Sequence, residues 1–310
     1  MSLRLALVGL GKIARDQHLP AIAATPGLEL VAIASRHAAP PPDLPSWPDI
    51  DGLLAHGPTI DAVTLCTPPQ GRFAQAQAAL AAGKHVMLEK PPGATLAEVR
   101  ILQELAAAKG VSLYATWHSR AAAAVEPARA LLAERRLRSV VIRWREDVRR
   151  WHPGQGWIWQ PGGLGVFDPG INALSIATRI LPEPFFLAAA ELHFPANRAA
   201  PIAAELDFRT TAGVPVRLEL DWRQTGEQTW EIAVETESGP VLLTHGGSCL
   251  HLDGVAQPAA EDREYRHLYA RFAELVRTGT SDVDLMPLIH VADAFMLGHR
   301  RTVEPFLDQG

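Results

Sequence analysis

Lys90 closes the run His85-Val86-Met87-Leu88-Glu89-Lys90-Pro91-Pro92-Gly93, a short apolar stretch cut off by two prolines. Those prolines forbid further ladder hydrogen bonds and a helical residue before them, so Lys90 is held at a strand's carboxyl end. In an open parallel sheet that edge faces the ligand crevice, which places the amine for chemistry; taken alone, a surface lysine opening a loop is the commoner role. Two other constellations supply context. Gly9-Leu10-Gly11-Lys12-Ile13-Ala14 is a G-x-G-x-x-A turn, which lets backbone approach a pyrophosphate and presents a helix amino terminus to it. Asp168 and Asn172 lie about one turn apart at the start of a helix and can point into one cleft, although capping is the commoner role for an Asp there.

The elements that position these residues follow from the pattern of apolar residues. Leu3 to Val8 predicts a strand, followed by the glycine turn and a helix through Ala24. Leu28 to Ala34, Ile60 to Leu65, His85 to Leu88 and Val111 to Thr116 predict further strands, and Pro40 to Pro48 a surface connection. Helices are predicted over 73–82 and 95–109, closed by Gly83 and Gly110. Strands alternating with helices of this length indicate βαβ units in a parallel sheet, a Rossmann dinucleotide-binding domain over residues 1–120.

Residues 121–310 read differently. Val140 to Asp147 alternates apolar and charged residues, and 187–193, 203–209, 216–222, 230–235 and 241–244 follow as strands at hairpin spacing. Helices are expected from Asp168 to Ile180, from near Tyr265, and over 287–301. The expectation is an α/β chain whose second domain is α+β, with a large, mainly antiparallel open sheet. Trp151 to Gly165 packs tryptophans among prolines and glycines in a loop too long to be only a connector. Trp151 is equally suited to cover a sugar's C–H face or a minor core; Trp157 and Trp159 suit core.

The end of the second strand bears on the cofactor. Enzymes that prefer NAD usually place an Asp or Glu there for the ribose 2′-hydroxyl. This chain has Ser35-Arg36-His37, and a hydroxyl with a guanidinium suits a 2′-phosphate, so NADP is favoured with NAD also accepted.

Composition narrows the function classes. With 310 residues, 47% apolar and 20% charged, the chain has the profile of a globular protein with two cores. A formal charge of -5 gives no electrostatic reason for nucleic acid or an anionic membrane as partner. The two cysteines, Cys66 and Cys249, fit neither a disulfide framework nor a thiolate metal site, and suit a reducing cytoplasm. No apolar run approaches the ~20 residues of a membrane helix, and the scattered histidines give no metal site.

Taken in order, Gly9 to Ala14, Thr67-Pro68-Pro69, Gly83-Lys84-His85-Val86 with Glu89-Lys90-Pro91, and Gly162-Gly163 through Asp168 resemble the Gfo/Idh/MocA oxidoreductases. Within that family, residues 12–20, 115–120, 146–154 and 166–172 are similar to the members that oxidise L-arabinose and D-galactose at C1. The resemblance implies oxidation of a pyranose at its anomeric carbon, with hydride to the nicotinamide and the hydroxyl proton to Lys90, giving an aldonolactone. Lys90 must be neutral for this, and burial beside a cationic nicotinamide disfavours an ammonium.

The implied catalytic set is Lys90, Asp168 and Asn172. Sugar contacts are expected from Lys90, His118, Glu146, Trp151, Asp168, Asn172 and Trp230. Cofactor contacts are expected from Gly9, Gly11, Lys12, Ile13, Ser35, Arg36, His37, Thr67, Pro68, Glu89 and Lys90. The chain departs from the wider family at Asn172 and Arg72, where relatives often have histidine; Asn takes no proton, which shifts the burden of base to Lys90. Other family activities, on inositol or glucose, and a silent sugar sensor are alternatives. Self-association through the large sheet into a homodimer is also expected.

Overall fold

Leu3–Val8 carries four fully buried residues in a row, the mark of a strand covered on both faces. The computed structural model describes residues 2–36, 41–258, 261 and 263–307. These form two units, Met1–His118 with Tyr265–Asp284, and Ser119–Glu264 with Leu285–Gly310.

In the first unit, β1 (Leu3–Val8), β2 (Leu28–Ala34), β3 (Ser46–Trp47), β4 (Ala62–Leu65), β5 (His85–Leu88) and β6 (Leu113–Ala115) form a parallel sheet in the order β3-β2-β1-β4-β5-β6. The order reverses between β1 and β4, and beyond the carboxyl ends of strands at such a switch point lies the ligand crevice of open α/β sheets. The segment expected to be a bare connection contributes β3, a two-residue edge strand that its flanking prolines permit. The helix expected after the glycine turn is broken into a wide turn over Ala14–His18 and a helix over Leu19–Ala23. Pro20 has no N–H to continue the ladder, and the wider turn absorbs that loss.

The segment Tyr265–Asp284, assigned from the sequence to the second domain, belongs to the first unit. Its helix, Glu264–Thr278, buries Tyr265, Leu268, Tyr269, Phe272 and Leu275 on one face against Leu5, Leu7, Ile33 and Met87 of the sheet. Full burial of a large apolar side chain is worth roughly 1.5–3 kcal/mol, so five such residues outweigh a long return of the chain.

In the second unit, β7 (Leu137–Arg145), β8 (Phe185–Pro195), β9 (Ala203–Thr210), β10 (Pro215–Asp221), β11 (Thr229–Thr236), β12 (Val241–Thr244), β13 (Cys249–Leu252), β14 (Val255–Ala256) and β15 (His299–Val303) form one sheet. Its order is β14-β13-β12-β11-β7-β10-β9-β8-β15, with β7–β10 and β8–β15 parallel and the remaining pairs antiparallel. The helix Phe167–Ile180 also belongs to this unit, and Gly170 lets it approach β10, since a Cβ there would stand 2.5 Å from Leu220 Cδ1. The outward face carries ion pairs among Arg143, Arg145, Arg217, Glu205, Glu219 and Glu231. The helix expected over 287–301 ends at Leu297; Gly298 is extended, and the charged residues after it form the edge strand β15.

Candidate active site

At the end of β1 the chain turns through Gly9, whose φ of +91° suits only glycine, and a Cβ there would stand 2.7 Å from Thr67 Cγ2. Among the described residues, apart from its own chain neighbours, no atom lies within 4 Å of where a Gly11 Cβ would be, so its backbone is open to a ligand. Gly9, Gly11, Ser35, Arg36, Thr67 and Pro68 line one groove of ≈ 570 Å³, with Cys66, Asp49 and Asp51 on its walls. Leu10 N donates to Ser35 Oγ at 3.4 Å, which ties the glycine turn to the end of β2. An open glycine backbone at a switch point fits the pyrophosphate of a nicotinamide dinucleotide, and Ser35 and Arg36 line the same groove. Lys12 is exposed and paired with Asp16, and Ile13 is also exposed. His37 lies outside the described residues.

Past Glu89 the sheet no longer holds the chain. Glu89 N donates to Leu65 O at 3.1 Å, and neither Pro91 nor Pro92 has an N–H to offer. Side chains hold this segment instead. The buried Arg72 guanidinium donates to the carbonyls of Thr67, Glu89 and Pro91. The Glu89 carboxylate accepts from Lys90 N at 2.6 Å and Tyr265 Oη at 2.8 Å, and lies 3.2 Å from His18 Nε2. Burial alone would raise the Glu89 carboxyl, but its bonds to His18 and Tyr265 and the facing charge of His118 hold it well below the carboxylate range. Lys90 is half-buried, and His118 stacks on Tyr265 with ring centres 5.4 Å apart.

The second unit gathers its own cluster. Glu146, just past β7, is 4% exposed, where a strand-end carboxylate is ordinarily solvated. Trp230 Nε1 donates to it at 2.9 Å and Trp222 Nε1 at 3.3 Å, while His152 Nε2 stands 3.4 Å away. His152 Nδ1 is in turn 3.7 Å from Asp168 Oδ2. Asp168 lies in the first turn of the helix Phe167–Ile180, where the helix dipole favours its negative charge, with Asn172 one turn on. Trp151 is 39% exposed and meets Trp230 edge-on at 5.2 Å; Trp159 is buried against Trp222 and Phe306.

The structure thus brings Glu146, Asp168, Trp151 and Trp230 together in one unit and places Lys90, His118 and Glu89 in the other. Sequence reasoning missed His152, which the pattern hid inside an irregular loop, and left Arg72 without a role. Glu146 had a readable signal: Val140, Ile142 and Trp144 are all buried, and a period of two carries that face on to residue 146.

A glycine-lined groove at a parallel-sheet switch point, with a second unit offering buried carboxylates and an imidazole, defines a dinucleotide-dependent oxidoreductase. The chain belongs to the Gfo/Idh/MocA oxidoreductases, and residues 3–116 match that oxidoreductase family's NAD-binding Rossmann fold. It is 49% identical over 308 residues to galactose 1-dehydrogenase of Pseudomonas fluorescens, covering 99% of each chain. The crystal structure of a D-galactose-1-dehydrogenase protein from Rhizobium etli superimposes with a TM-score of 0.95 at 56% identity, over 99% of this chain and 98% of that one. A 3-ketoreductase from Actinomadura kijaniata, in complex with TDP-benzene and NADP, shares the fold at 19% identity and a TM-score of 0.83, over 98% and 100%. Among the described residues no helix is long and apolar enough to cross a membrane.

Proposed function

We propose that this oxidoreductase is an NAD(P)-dependent aldose 1-dehydrogenase that oxidises D-galactose, L-arabinose or both to the aldonolactone. The observation that carries the reading is the array of buried Glu146 and Asp168 about the half-buried His152, beside Trp151 and Trp230, in a chain similar along its whole length to galactose 1-dehydrogenase. A sugar site needs several directional polar groups on a rigid apolar wall, and this array supplies them. The two sugars share configuration at C2, C3 and C4, so one pocket can serve both.

A nicotinamide dinucleotide, when bound, accepts the hydride from C1. Lys90 takes the proton of the C1 hydroxyl, so the sugar loses one hydride and one proton and the C1–O bond becomes a carbonyl. Asp168 and Asn172 orient the C1 end, while Glu146 and His152 receive ring hydroxyls. Ser35 and Arg36 favour NADP, and Asp49 and Asp51 on the same groove oppose a 2′-phosphate, which supports use of NAD as well. We also propose a homodimer through the second unit's outward sheet face. A monomeric mass by light scattering at micromolar concentration would remove that proposal.

Initial-rate reduction of NADP and NAD with L-arabinose, D-galactose, D-glucose, D-xylose and myo-inositol tests the central reading. Turnover confined to the first two sugars is the expected result. Turnover on glucose or inositol alone would overturn the substrate, and bound dinucleotide without turnover on any sugar would favour a sensor.

A further inference from the structure

We propose that His18 is a positioning residue for Lys90, acting through the Glu89 carboxylate. The inference rests on reading Lys90 as the base. His18 is fully buried at the end of the wide turn that follows the glycine loop, and both of its ring nitrogens are engaged. Nδ1 is 2.7 Å from Tyr269 Oη and Nε2 is 3.2 Å from Glu89 Oε1.

The carboxylate facing Nε2 can only accept, so Nε2 carries a hydrogen and donates it to Glu89. Tyr269 Oη, paired with Nδ1 at 2.7 Å and 3.4 Å from Thr64 Oγ1, fixes the other edge of the ring. Burial favours the neutral ring, but Cys66, Tyr269 and Glu89 facing it outweigh that and hold His18 well above its ordinary value.

The consequence falls on Lys90. Its N–H has left the sheet and is taken by Glu89 Oε2, while the carbonyls on either side of it are taken by Arg72. The peptide group before Lys90 is thus held at both its N–H and its carbonyl by charged side chains, and Arg72 also holds the carbonyl of the residue after it. Glu89 can hold its side only while its carboxylate stays charged and correctly turned, and His18 with Tyr265 fixes both properties. His18 thereby connects the turn beside the dinucleotide groove to the backbone of Lys90.

The test compares His18→Leu, His18→Gln, Tyr269→Phe and Lys90→Ala with the wild type, all in the full chain. Dinucleotide-binding sites are titrated by fluorescence, and rates are expressed per titrated site with unlabelled and C1-deuterated D-galactose. Displacing a catalytic group by about 1 Å can cost ~100-fold, so His18→Leu is expected to lower kcat per site by about 30- to 100-fold. KM for the sugar and dinucleotide affinity should stay within about twofold, and the deuterium isotope effect should rise as hydride transfer becomes limiting. His18→Gln keeps a donor for Glu89 and is expected to recover about a tenth or more of the wild-type kcat.

An unchanged kcat per site in His18→Leu would overturn the proposal. So would kcat, KM and dinucleotide affinity all worsening together, which is the mark of a general structural role. Where His18→Leu fails to fold, Tyr269→Phe decides, because an unchanged kcat there is equally fatal and a loss confined to kcat is support. Lys90→Ala with wild-type kcat would remove the base reading and this inference with it, whereas an inactive Lys90→Ala beside a normal His18→Leu removes only the inference.

Discussion

His152 Nε2 stands 3.4 Å from Glu146 Oε1, which couples an imidazole in an irregular loop to a carboxylate at the end of β7. The other nitrogen is 3.7 Å from Asp168 and has no hydrogen-bond partner among the described residues, so the ring spans two carboxylates with donor or acceptor capacity to spare. A hydroxyl-rich ligand satisfies such a group. Glu146→Gln and His152→Ala are each expected to raise the sugar KM and lower kcat/KM by roughly 10- to 100-fold, the equivalent of leaving one buried polar group unpaired. Dinucleotide affinity should be unchanged. Steady-state kinetics on D-galactose and L-arabinose check this, and an unaltered KM for every sugar would take Glu146 out of the site.

Lys90 is expected to act on the chemical step. A positioned general base contributes roughly 10²- to 10⁴-fold, so Lys90→Ala should lower kcat by that order and leave dinucleotide binding largely intact. Single-turnover reduction of the cofactor, followed by absorbance, separates the two. Weakened cofactor binding with normal single-turnover rates would make Lys90 a cofactor ligand only.

Arg36 lies on the groove wall with Ser35. A charge-assisted hydrogen bond is worth about 1.5–3 kcal/mol, so Arg36→Ala should cost NADP roughly 10- to 150-fold in kcat/KM while NAD changes by less than about threefold. Equal losses with both cofactors would place Arg36 on the adenine or pyrophosphate and leave the preference unexplained.

What the sequence made legible was whatever lies contiguous in the chain. The turn Gly9 to Ala14, the end of β2 at Ser35-Arg36 and the strand before Lys90 each combine an apolar run with a local breaker, and each stands where that pattern puts it. The supports of Lys90 beyond its neighbour Glu89 were hidden because they come from three separate places: His18, Arg72 and the Tyr265–Tyr269 pair. No periodicity links a tyrosine near residue 265 to a glutamate at 89; only the buried face of the returning helix does. His152 was obscure for a related reason, since an irregular loop has no period to say which residue points inward.

The His18–Glu89 pair also gives stability a definite pH dependence. The folded Glu89 carboxyl lies below its unfolded value: burial acts to raise it, and the bonds from His18 and Tyr265 prevail. Its contribution is therefore present above about pH 4.3 and lost as pH falls below that. His18 lies above its unfolded value, so its contribution is complete below about pH 6.5 and is lost as pH rises through the higher folded value. Both contributions are in force between those limits. Breaking a buried ion pair costs about 3–5 kcal/mol, so Glu89→Gln should be destabilised by up to that amount near pH 5.5. The gap from wild type should narrow towards pH 3, because the unfolded chain's Glu89 gains its proton there while the folded carboxylate stays ionised. Urea unfolding followed by circular dichroism at pH 3.5, 5.5 and 8 measures it, and a gap independent of pH would mean that the buried pair is not ionised.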